Sequence, residues 1–276
     1  MNPYELMINT NRYLIKGGEL NESQKINIVN QFLVVRSDER TKQSFYKGVN
    51  APEYLASLGK SNDGRKMYPL FYIPPYNEGK KFQTVIPMSP KTHILSANSY
   101  ELEIIRLLYL FAPDDKMVKD MANKTLERLK TTCFGYQDCH VGECFHSALI
   151  VLRFLATVAP DDTEWINKLI IFFNKYKDET PRHGGIYWYY WLCLSELPIE
   201  IAEPEIKKSK EAILRQLNRS SVMNSENDKT NHPVMICMLR NVISRLPEYA
   251  YIKERQPYVS EKDGRLYFDM SENRLI

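Results

Sequence analysis

Apolar positions recur with helical spacing over most of this chain. From 99 to 111 the chain is apolar on nearly every side, with Leu102, Ile104, Ile105, Leu107, Leu108, Leu110 and Phe111. That pattern predicts a helix buried on all sides. Asn98, with Glu101 three positions later, predicts a capping box at its start. Pro113 predicts its end, because the ring disfavours helix at the residue before it. Asp114 or Asp115 can then cap a second helix. In that helix Val118, Met121, Ala122, Thr125, Leu126 and Leu129 form one stripe, with Lys119, Lys124 and Arg128 expected opposite, in solvent. Residues 145–158 are again uniformly apolar, and Trp165, Leu169, Phe173 and Tyr176 follow at helical spacing. A third pair is predicted at 186–197 and 204–217, where Pro204 suits a first turn. A further helix is predicted at 234–246. Upstream, 3–16 and 21–35 form another pair, with Asn21 and Gln24 as a cap signal.

The pairs repeat. The run from Arg106 through Pro113 to Asp115 returns 47 residues later as Arg153 through Pro160 to Asp162. Weaker echoes end at Pro198 and Pro247. A buried helix followed by a half-buried one, at this period, is the pattern of a two-layer helical repeat. The expected fold is therefore mainly α: an α-α solenoid, HEAT-like, or an α/α toroid. Residues 66–95 and 256–269 break the pattern and predict small β-hairpin additions, the second around Asp263-Gly264. No linker stands out, so 1–276 reads as a single domain. Its parts are a helix pair plus irregular segment (1–95), the repeats (96–247) and a hairpin segment (248–276). Arg106, Arg153 and Arg240 fall inside buried helices and need partners, with Glu103 or Asp114 as candidate carboxylates.

Composition narrows the class. Hydrophobic residues make up 43% of the 276, too many for a disordered chain. A formal net charge of +3 is no nucleic-acid footprint, and no nucleic-acid partner is expected. The longest apolar stretch, 148–159, contains Arg153 and falls short of the ~20 residues a span needs, so no membrane is expected. The N-terminus lacks the pattern of a signal peptide, and five cysteines at irregular spacing do not form a disulfide framework. The expectation is a cytoplasmic protein with reduced thiols.

The repeat suggests where chemistry would gather. The connections entering the inner helices are 92–98, 131–142, 180–186 and 219–233, and each carries a histidine: His93, His140, His183 and His232. Four histidines at one end of a rigid scaffold form a candidate ligand site. The richest connection runs from Cys133 through Cys139, His140 and Cys144 to His146. Its donor types suit zinc, but the spacing matches no paired structural site, and adjacent Cys139 and His140 are hard to place on one tetrahedral ion. No cofactor is therefore expected, with zinc the one ion that the donors would permit. A second reading is catalytic. Cys144 would open a helix whose N-terminus lowers its pKa, with His140 as base and Asp138 or Glu143 orienting it. A third reading is structural, with Gly135 and Gly142 making turns. Further on, Arg182 and His183 precede Gly184-Gly185 and suit a small anionic ligand, and the aromatic run with Tyr187 and Trp188 could stack on a flat ligand or a sugar. Two functions follow. The first is a cytoplasmic scaffold that binds a protein or peptide. The second is an enzyme or small-molecule sensor, hydrolytic or metal-dependent, with its site at this loop end.

Overall fold

The computed structural model describes residues 2–38, 40–41, 68–74, 82–86, 88, 90–91, 93–136, 139–179, 185–218, 221–223, 226–254, 258–262 and 265–269. Side chains are not described over 221–232 or beyond 252. The fold is mainly helical. Its elements are α1 (Pro3–Ile15), α2 (Glu22–Val34), α3 (His93–Phe111), α4 (Lys116–Lys130), α5 (Cys144–Val158), α6 (Thr163–Tyr176), α7 (Gly185–Glu196), α8 (Ile199–Leu217) and α9 (Glu226–Ile243). A 3-10 helix covers Pro247–Glu254, and three strands complete the set: β1 (Ser221–Met223), β2 (Tyr258–Lys262) and β3 (Arg265–Asp269). Among the described residues, no helix is long and apolar enough to cross a membrane. The chain groups into two compact units. One holds Met1–Asn11 and Leu20–Ile186, the other Arg12–Glu19 and Tyr187–Ile276.

In the first unit α3 packs against α2, α4 and α5, and α5 packs against α6. The apolar runs dictate this: α3 and α5 are buried along nearly their whole lengths. The predicted signals at Asp115, Pro113 and Asn21 operate. Asp115 accepts hydrogen bonds from the Met117 and Val118 amides, α3 stops at Phe111, and Asn21 with Gln24 forms a complete capping box.

The capping box expected at Asn98 and Glu101 does not exist, because α3 begins five residues earlier, at His93. Both residues lie inside the helix and are fully buried. Asn98 donates to the Ile94 carbonyl (2.8 Å) and accepts from Arg128 (3.0 Å). One oxygen of Glu101 accepts the Leu70 and Phe71 amides at 2.7 and 2.6 Å, and the other meets Arg128 at 2.9 Å. Arg128, expected in solvent, is therefore core. A charge taken out of water needs a partner of opposite sign; Glu101 supplies it at one terminal nitrogen of the guanidinium, and Asn98 accepts from the other. Arg106 and Arg153 find Glu103 at 3.2 and 2.7 Å, as expected.

The second unit contains α8 packed on α9, with the 3-10 helix also against α9. Arg240 donates to the Ile252 carbonyl at 2.9 and 2.6 Å. Two helices start earlier than expected and carry their prolines inside: Pro204 in α8 and Pro233 in α9. Burial of Ala202, Glu205 and Ile206 explains the longer α8, since its first turns have a surface to pack on. The strands form an antiparallel sheet in the order β1-β3-β2. Lys262 pairs with Arg265, and Asp263 and Gly264, where the turn was expected, lie outside the described residues. β1 was not anticipated. The described residues of 66–95 contain no strand, so the hairpin expected there is not seen among them. Their polar groups are used differently, as the Glu101 bonds to Leu70 and Phe71 show.

Candidate metal centre

The site lies in the first unit, where α4 hands over to α5. Just past α4, Thr132 donates its hydroxyl to the Leu129 carbonyl (2.8 Å) and accepts the Gly135 amide (3.0 Å). Gly135 is required there: a Cβ would stand 2.3 Å from the Leu129 carbonyl oxygen. Trp165 of α6 then donates its indole N–H to the Gly135 carbonyl at 2.6 Å. These bonds fix a tight turn, and Cys133 sits within it. On the other side Gly142 takes φ +57°, a left-handed conformation that favours glycine. The chain turns there, and Cys144 enters the first turn of α5, its amide bonded to the Val141 carbonyl at 3.2 Å. Cys139 lies between the two turns.

The sulfurs of Cys133, Cys139 and Cys144 all lie within 4.8 Å of one another, and those of Cys133 and Cys144 are 3.5 Å apart. Zinc–sulfur bonds are about 2.3 Å, so two sulfurs on one tetrahedral ion stand about 3.8 Å apart. The observed triangle spans that distance. All three cysteines are free and half-buried, as a reachable ligand set requires. The donor set differs from the one weighed in the sequence. The difficulty was Cys139 next to His140, and neither His140 nor His146 belongs to this group. His140 instead stacks face to face on Tyr176, with centroids 4.1 Å apart at 6°.

The catalytic expectation for Cys144 assumed a lowered pKa. The shift runs the other way: a hydrogen bond with Cys133, then burial, then the nearness of Cys133 and Cys139 push its thiol well above the ordinary value. The helix terminus is outweighed because three thiols this close disfavour one another's ionisation. Glu143, expected to orient His140, accepts a hydrogen bond from the Lys91 amide. Asp138 lies outside the described residues.

The histidines expected at one end are placed one by one. His93 is the first residue of α3 and half-buried, since polar Ser96, Asn98 and Ser99 sit inside that helix rather than in a loop. His232 falls within α9 rather than in a connection, and its side chain is not described. Arg182 and His183 lie outside the described residues. Tyr187 is exposed and Trp188 half-buried in the first turn of α7, where each ring packs near Trp191. Cys133 and Cys139 were passed over as site residues. Their signal was present as donor type and lost in the irregular spacing. No protein-family model matches this chain, and no curated protein or solved structure is similar to it.

Proposed function

We propose that this protein binds a thiophilic divalent metal ion, zinc, through the thiolates of Cys133, Cys139 and Cys144. The observation that carries the reading is the sulfur triangle within 4.8 Å. A divalent cation supplies a positive charge that lets neighbouring thiols ionise together. Bound there, zinc would tie the end of α4 to the start of α5. Three thiolates leave one tetrahedral position, the arrangement that a metal-dependent enzyme or a sensor of a small ligand would use. The reading includes a reducing, cytoplasmic setting, because the ligands are reduced thiols. Elemental analysis of protein purified without chelator tests it. About one zinc per chain is expected, falling to background in Cys133→Ser/Cys144→Ser. Sub-stoichiometric metal in the unaltered protein refutes it.

A second reading keeps the protein- or peptide-binding scaffold. It is supported by Val34, 83% exposed at the end of α2, beside a groove lined by Pro3, Leu6, Asn30, Gln31 and Val35. Exposed apolar surface of this kind favours a partner. A photo-crosslinking residue at position 34 is expected to give a discrete adduct in cells, and a smear or no adduct counts against this reading.

A further inference from the structure

Cys133 and Cys144 are in sulfur–sulfur contact at 3.5 Å, and no helix or strand separates them. A disulfide needs about 2.05 Å between sulfurs, so closing the pair takes a movement of about 1.5 Å. Cys133 sits in the turn locked by Thr132, Gly135 and Trp165, and Cys144 opens α5 just after the turn at Gly142. Both cysteines are half-buried rather than sealed, so a small oxidant reaches them.

We infer that Cys133 and Cys144 form a site of oxidative modification, at which a peroxide converts the pair to a disulfide and releases the metal. The inference rests on the metal reading above for its second half and on the sulfur contact alone for its first. The chemistry balances. The Cys133 thiolate attacks a peroxide oxygen, forming an S–O bond as the O–O bond breaks and hydroxide leaves; the Cys144 sulfur, giving up its proton as it reacts where no metal has already taken it, then attacks the sulfenic sulfur, forming the S–S bond and expelling the oxygen as water. Two thiolates, one hydrogen peroxide and two protons become one disulfide and two waters. The sulfurs lose two electrons and the peroxide gains them. The metal then keeps one of its three chain ligands, Cys139, and one thiolate does not hold zinc against solvent.

The test uses the full chain, zinc-loaded and zinc-free, with hydrogen peroxide at stoichiometric amounts. Released zinc is read with a chromogenic chelator and the thiols by mass spectrometry. All three cysteines share the tryptic peptide 131–153, so a second cleavage after Glu143 separates Cys144 from the others. Expected are one zinc released per disulfide formed, a mass loss of about 2 Da, and reversal by dithiothreitol. Cys139→Ser should still form the bond, and Cys133→Ser should not. Sulfinic acid at Cys144 without a disulfide overturns the inference, as does a bond that requires Cys139. A disulfide formed while zinc stays bound overturns the release step. If the starting protein takes up no zinc yet the bond forms, the metal reading fails and the oxidation site stands.

Discussion

Removing Arg128 isolates one claim about this fold, that a basic residue of an amphipathic helix is structural. Its side chain is 1% exposed and meets the Glu101 carboxylate, 0% exposed, at 2.9 Å. Truncating one member of such a pair strands the other as a buried charge, and costs about 3–5 kcal/mol. Glu101 also holds the Leu70 and Phe71 amides, so part of its charge remains hydrogen-bonded and the lower end of that range applies. For a unit of this size, about 3 kcal/mol corresponds to roughly 10 °C in the unfolding midpoint. The variant is Arg128→Met, measured by calorimetry and by urea unfolding on the full chain. The companion Glu101→Gln/Arg128→Met leaves no charge buried, while Gln still accepts the backbone amides. It should recover most of the loss. A cost under about 1 kcal/mol for the single variant, or a double variant as unstable as the single, refutes the reasoning.

Other outcomes follow from the same geometry. Trp165→Phe removes the 2.6 Å bond to the Gly135 carbonyl, and should cost about 1 kcal/mol and loosen zinc binding in a competition titration, because that turn carries Cys133. Gly142→Ala meets no steric neighbour but forces a left-handed φ of +57° on a side chain; about 1 kcal/mol of lost stability is expected in urea unfolding. In the metal-free protein the raised Cys144 pKa means that its thiol stabilises the fold below the ordinary value of 9.0, and that this contribution is lost as pH rises above it. Unfolding midpoints should fall above pH 9, and alkylation of Cys144 at pH 8 should be slower than that of a free cysteine.

Much of the helical layout was legible because one residue type settled each boundary. Pro113 stopped α3, Asp115 capped α4, and Asn21 with Gln24 opened α2. Position was legible even where the reading erred: Arg128 lies three residues after Thr125, on the buried stripe, and its charge sent it to the wrong side. Its partner decided the matter, and Glu101 stands 27 residues away. Asn98 failed similarly, since a polar residue before an apolar run marks a cap only when nothing inside the fold bonds it. For the metal centre, the residue types were visible and their convergence was not. Cys133 is placed by a turn whose closing bond comes from Trp165, 30 residues beyond Gly135.

All three sulfur ligands lie within twelve consecutive residues, from Cys133 to Cys144. Loops that short close in about 10–100 ns, far faster than helices pack. The unfolded chain can therefore gather the same thiolates around an ion. A metal that binds both states stabilises the native one only by the difference in affinity. Zinc here would act early, as a seed joining two helices still forming, and would raise the melting temperature by less than its affinity for the finished protein suggests.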